Sequence, residues 1–318
     1  MLGRRAIVVA LALAGLLLRA TPALAHEGEP IRPHDFWGAW TFEWTVVIPL
    51  VVTAVLYGVG LRRLWTAAGV GRGVRRWEAA CFAAGWLSLV VALVSPLHAL
   101  GEALFSAHMA QHELLMAVAA PLLVLGRPLV PWTFALPKKN RSTVGGWAKQ
   151  GWFRRSLHAV SAPGAAWTQH AAALWLWHMP VLYGLAVRSE WVHGLQHVCF
   201  LGTALLFWWA LLRGRGARLG YGAAVLYLFT TAAHSGALGA LLTFARAPWY
   251  PAYAAPTTPW GLTALEDQQL AGLIMWVPAG VSYLVAALWV FAEWLRESER
   301  RTERRERRLA LEATAGEA

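Results

Sequence analysis

Residues 104–125 read Leu-Phe-Ser-Ala-His-Met-Ala-Gln-His-Glu-Leu-Leu-Met-Ala-Val-Ala-Ala-Pro-Leu-Leu-Val-Leu. A bilayer core is crossed by roughly 20 mostly apolar residues in a helix, and this stretch meets that length. It also carries His108, Gln111, His112 and Glu113, which lipid does not solvate. The stretch is therefore expected to be a membrane helix whose polar side is turned toward other helices.

Working outward, six further apolar stretches of spanning length occur at about 42–61, 78–98, 163–183, 191–212, 220–244 and 267–292. The fold expected is all-α, a polytopic bundle of seven transmembrane helices. Composition agrees: 58% of the 318 residues are hydrophobic and 14% charged, and the mean hydropathy is +0.45, which excludes an ordinary soluble globular chain. Twenty tryptophans suit a chain with many interfacial anchors. Cys81 and Cys199 are too few for a disulfide framework or a thiolate zinc cluster.

Residues 1–25 carry Arg4 and Arg5, an apolar run from Ala6 to Leu18 and the small-residue ending Ala23-Leu24-Ala25, the pattern of a secretory signal peptide. Cleavage there starts the mature chain at His26; an uncleaved anchor is the alternative. An exported segment then covers 26–41, the seven-helix domain 42–295 and a charged tail 296–318. That tail interleaves Arg296 to Arg308 with glutamates and reads as a solvated helix beside anionic headgroups. The 245–265 segment, with Pro248, Pro251, Pro256 and Pro259, reads as an irregular connection.

The net charge of +11 would suggest a nucleic-acid partner in a soluble chain. Here the basic residues are sorted by loop. The 62–76 connection holds five arginines, the 127–155 connection seven Lys and Arg, the 213–218 turn Arg213, Arg215 and Arg218, and the tail seven arginines. The alternate connections hold only Arg32, Arg188 and Arg246. Basic residues stay in cytoplasmic loops, so the mature N-terminus is expected outside the cell membrane and the tail in the cytoplasm.

That topology places the histidines by depth. His98, His108, His112, His178, His193 and His197 fall at the exported ends of four helices; His170 and His234 lie deeper, His158 is near the cytoplasmic face, and His26 and His34 are in the exported segment. The spacings His108-x-x-x-His112 and His193-x-x-x-His197 each set two imidazoles one turn apart on one helix face, within reach of a single metal ion. Any one of these histidines also reads as an interfacial residue bonded to a neighbouring helix or to water; the set of six at one depth favours a metal or haem site. Met109, Met179 and Cys199 flank these histidines, and soft sulfur ligands would favour Cu(I); they need not be ligands, because Met109 and Cys199 lie one and two residues from a histidine and point to other faces. Glu113, Glu102, Glu266 and Asp267 share the exported level and are expected to orient imidazoles or to pair with Arg246 and water. His170 and His234 read either as a relay position or as polar bridges between helices.

Three strings, in order, resemble the membrane-embedded CtaG family of cytochrome c oxidase assembly proteins. The first is His108-Met109-Ala110-Gln111-His112 with the helix ending Leu125-Gly126-Arg127-Pro128. The second runs from Trp177-His178-Met179-Pro180 and Tyr183 through Trp191-Val192-His193 and Gln196-His197 to Phe207-Trp208-Trp209. The third is Asp267-Gln268-Gln269 continuing to Trp276-Val277-Pro278. The resemblance implies a role in maturing a haem–copper oxidase, with copper held and passed to an oxidase subunit. It places the family's histidine motifs on His108, His112, His178, His193 and His197, and its acidic-amide motif on Asp267, Gln268 and Gln269. The ligand set expected is these five histidines with His98, backed by Glu113, Asp267 and Gln268. Partners implied are cytochrome c oxidase subunits, an exported copper chaperone and the lipid bilayer, with no nucleic acid. A bis-histidine haem protein, a metal-free scaffold and a copper transporter are the alternatives, the last with few polar residues toward the cytoplasmic side. No nucleophile–base pair, phosphate-binding glycine loop or paired catalytic carboxylates occur, so no enzyme is expected.

Overall fold

The computed structural model describes residues 31–213 and 219–316. The expected signal peptide over 1–25, His26 and the basic residues Arg215 and Arg218 lie outside the described residues. The described chain is all-α. Its helices are α1 (Trp44–Ala68), α2 (Arg76–Leu93), α3 (Pro96–Ala103), α4 (Phe105–Leu125), α5 (Leu129–Ala135), α6 (Lys138–Lys149), α7 (Gly151–Val160), α8 (Pro163–Trp177), α9 (Pro180–Arg188), α10 (Glu190–Leu212), α11 (Tyr221–Thr243) and α12 (Ala264–Gly316).

Six of these, α1, α2, α4, α10, α11 and α12, are long and apolar enough to cross a membrane. The expected span at 163–183 is instead two pieces. The helix stops after Trp177 because Pro180 opens a new one and forces Met179, the residue before it, into extended geometry (ψ 132°). Fifteen residues rise only about 22 Å, short of a typical hydrocarbon core. Likewise the stretch 78–98 ends as a long helix at Leu93, and His98 sits on the separate helix α3, started by Ser95 as N-cap and Pro96 at its first position. The tail is a continuation of α12, with Arg296, Arg301 and Arg308 paired to Glu293, Glu297 and Glu312 along its exposed surface.

Most of α4 is buried, whereas α1 buries only Leu50, Tyr57, Gly60 and Leu64, one stripe at helical spacing. The central position of α4 explains a local irregularity. Residues Leu114–Ala119 are wound as a π segment, in which Ala120 N–H donates to the Leu115 carbonyl five residues back. In that register the Met116 carbonyl would accept from residue 121, which is a proline and has no N–H. The indole N–H of Trp208 on α10 donates to it instead, at 2.9 Å.

One end of the bundle is tied by a buried carboxylate. Glu78 accepts from the Arg75 N–H at 2.8 Å, and its other oxygen lies 3.6 Å from both Arg127 and Arg213. Arg213 also donates to the Leu125 carbonyl at 2.7 Å, so the start of α2 and the ends of α4 and α10 are held together. The histidine-bearing ends of α4 and α10 are therefore opposite this arginine end.

Helices α11 and α12 approach at glycines. A Cβ on Gly272 would lie 2.5 Å from the Gly239 carbonyl oxygen and 2.7 Å from the Thr243 nitrogen, both backbone atoms. Such close contact replaces the hydrophobic drive that membrane helices lack. Gly272→Ala is expected to destabilise the protein by about 1–3 kcal/mol, the range of overpacking, read as a lower melting temperature in detergent.

Candidate metal centre

The site begins with a backbone problem, the unpaired N–H groups at the start of α4. Leu104 precedes the helix and offers no capping side chain. Asp267, from the first turn of α12 and fully buried, supplies the cap from across the bundle. Its carboxylate accepts from the Phe105 N–H at 2.6 Å, the Ser106 N–H at 3.1 Å and the Ser106 hydroxyl. A carboxylate at a helix N-terminus is favoured by the helix dipole as well as by these bonds. The first turn so fixed carries His108.

His108 and His112 follow on one face of α4, ring centroids 4.3 Å apart, and His193 and His197 on α10 are likewise 4.3 Å apart. The two pairs face each other: His108 lies 5.0 Å from His193 and His112 lies 5.4 Å from His197. His98 on α3 stacks on His193 at 5.6 Å and 8°. Ligand nitrogens of His108, His193 and His197 all lie within 4.8 Å of one another. Their Nε2 atoms are buried with no hydrogen-bond partner. Small ring rotations bring such atoms to roughly 3.3 Å, the spacing around an ion held at the usual imidazole bond length of about 2.0 Å. These three residues can therefore share one metal ion.

The chain matches the family described as cytochrome c oxidase caa3 assembly factor (Caa3_CtaG) over residues 55–297. It belongs to that family. An uncharacterised protein of Mycobacterium bovis is 28% identical over 279 residues, covering 84% of this chain and 41% of the relative. One from Mycobacterium leprae is 27% identical over 287 residues, covering 86% and 42%. The chain thus spans less than half the length of these relatives. No solved structure matches it. The matched family is one of assembly factors, and the membrane-spanning helices of this chain accord with membership in it.

Within this CtaG-family chain the other predicted residues take distinct places. His98 is fully bonded: the Gln111 side-chain amide donates to the Ala92 carbonyl (2.7 Å) and to His98 Nδ1 (2.8 Å). The His98 proton is then on Nε2, facing Glu43 at 3.6 Å. The nearness of His98 is the main reason the Glu43 carboxyl, just before α1, is held below its usual range. His178 donates from Nδ1 to the Leu174 carbonyl at 2.6 Å and turns Nε2 toward the Met109 sulfur at 3.3 Å.

The acidic-amide motif does not touch imidazole. Asp267 caps α4, and Gln268 accepts the Trp249 N–H at 2.6 Å. Glu113 is buried, with one carboxylate oxygen lacking a partner. In the 245–265 connection Tyr250 donates to the His178 carbonyl (2.7 Å) and Tyr253 to the Gly101 carbonyl (3.0 Å), so this segment is fastened beside the histidines. Burial pushes both phenols up. His170 reaches Thr203 at 3.3 Å, and His234 lies edge-on to Trp167, away from the cluster. Exposed His34 pairs with Asp35.

Glu43 and Gln111 are the site residues that sequence reasoning did not single out as contacts of the histidines, and Met109, expected on another face, does meet one of them, His178. The i, i+3 relation of His108 and Gln111 was a usable signal. The Glu43 and Met109 contacts join separate helices, for which spacing within one helix carries no signal.

Proposed function

We propose that this chain holds copper at His108, His193 and His197 during oxidase assembly and passes it, as cargo, to an oxidase subunit. The observation that carries the reading is that these three histidines bring ring nitrogens within 4.8 Å of one another and each has a buried Nε2 without a partner, since buried polar atoms are ordinarily satisfied. His112, ring against ring with His108 and His197, adds a fourth imidazole at the site, while His98, turned by Gln111 toward Glu43, and His178, turned toward Met109, border it. Imidazole binds copper, and ligand exchange between imidazoles permits its transfer.

The sorting of basic residues supports placing the histidine end on the exported side of the cell membrane, with an exported copper chaperone as the donor. Helix α8 packs beside α10 through His170 and Thr203, which supports a short seventh crossing and a cytoplasmic tail. Cleavage of the leader after Ala25 completes this reading.

Metal and visible absorbance of the purified protein test it. Copper bound without a Soret band is the expected result. A Soret band would assign the histidines to haem, and neither copper nor haem would leave a scaffold.

A further inference from the structure

Beyond the triad, a second donor set is formed by Met109 and His112 of α4 with His178, which follows α8. His178 Nδ1 sits 2.6 Å from the Leu174 carbonyl oxygen, which can only accept, so the ring proton is on Nδ1. Nε2 then presents a lone pair, and 3.3 Å in front of it is the thioether sulfur of Met109, which has no proton either. Two electron-pair donors face each other with no hydrogen bond possible between them. A second proton on this ring, which is 3% exposed, would be an uncompensated buried charge.

The third member is His112, 1% exposed, with both ring nitrogens buried and unpartnered. Its ring lies 6.4 Å from that of His178 and 5.4 Å from that of His197, so it stands between His178 and the triad. Phe200, itself fully buried, packs at 4.6 Å from His112 and 5.8 Å from His178 and closes the space to water.

We propose that Met109, His178 and His112 form a second, deeper metal position selective for Cu(I), which exchanges its ion with the triad through His112. The proposal rests on the copper reading of the triad. A thioether with imidazoles is a soft donor set, and softness selects Cu(I) over the harder divalent ions. One turn and a little more of helix, about 6 Å, separates His112 from His108. Transfer is ligand exchange: a bond from copper to His112 forms as one to a triad imidazole breaks, and no electron changes hands.

The test is titration of the purified full chain with Cu(I) supplied from a chelate of known affinity, followed by copper X-ray absorption. The wild type is expected to take two equivalents per chain and show a sulfur scatterer. Met109→Leu, close in volume, should take one equivalent with nitrogen scatterers alone. His193→Ala with His197→Ala should keep the sulfur-bound ion. Selenomethionine-labelled wild type should show selenium in place of sulfur, a readout that does not depend on how the leucine variant folds. Copper bound by nitrogen alone in wild type and labelled protein, with uptake unchanged in Met109→Leu, would overturn the second position. Loss of copper in the double alanine variant would meanwhile leave the triad standing. Full uptake by that variant, still with sulfur, would sink the triad and keep the deeper position.

Discussion

Changing His193 and His197 together to alanine is expected to weaken copper binding at the triad by more than about 100-fold, because even loss of an outer partner of a metal-bound histidine costs 10–100-fold. One of the three imidazoles that can share an ion would remain. Oxidase in cells carrying the variant should accumulate without its copper. The same variant should not unfold. The Nε2 atoms removed are buried and unpartnered, a condition that costs about 1–3 kcal/mol per group. Their loss offsets the cavity that the smaller side chains leave. The copper-free variant should therefore melt at or above the temperature of copper-free wild type. Unaltered copper affinity, or a fall in melting temperature that accounts for the loss of copper, would contradict the assignment. Separating these outcomes takes two curves, a copper titration and a thermal scan of the metal-free proteins.

That pairing of a functional loss with a stability gain is also where the sequence is most legible. The i, i+4 spacings put His108 beside His112 and His193 beside His197, and both pairs do share a helix face. Charge sorting placed them at one end, and the arginines around Glu78 do gather at the other. Hydropathy was a poorer guide to breaks in the chain. Trp177-His178-Met179-Pro180 lies inside an apolar stretch, yet Pro180 ends the helix there, and the break is what frees His178 to turn toward Met109. Proline was the available signal. The role of Asp267 was less legible for a different reason. Asp267 is expected as an outer partner of an imidazole, but its bonds go to backbone N–H groups 161 and 162 residues away. No spacing rule reaches that far, and an orphan helix terminus competes for a carboxylate as strongly as an imidazole does.

Asp267→Ala should consequently be the most damaging single substitution in the site for stability, although Asp267 holds no histidine. It removes bonds to Phe105 N–H, Ser106 N–H and the Ser106 hydroxyl and leaves those donors buried. Bonds to a charged acceptor contribute about 1.5–3 kcal/mol each, and they are not additive when one group makes all of them. A loss of about 4 kcal/mol is expected, at the upper end for one residue. Asp267→Asn keeps an acceptor oxygen and should lose about half as much, and Ser106→Ala about 1 kcal/mol. Because His108 sits one turn beyond the capped residues, fraying of α4 would displace it from His193. Copper affinity should then fall in the same order as stability across the three variants, the reverse of the relation expected for the histidine pair. Unfolding in mixed micelles measures the first quantity and Cu(I) titration the second. An Asp267→Ala protein within about 1 kcal/mol of wild type would show that α4 keeps its first turn without the cap. A variant destabilised as expected but binding copper normally would show that the position of His108 is set elsewhere.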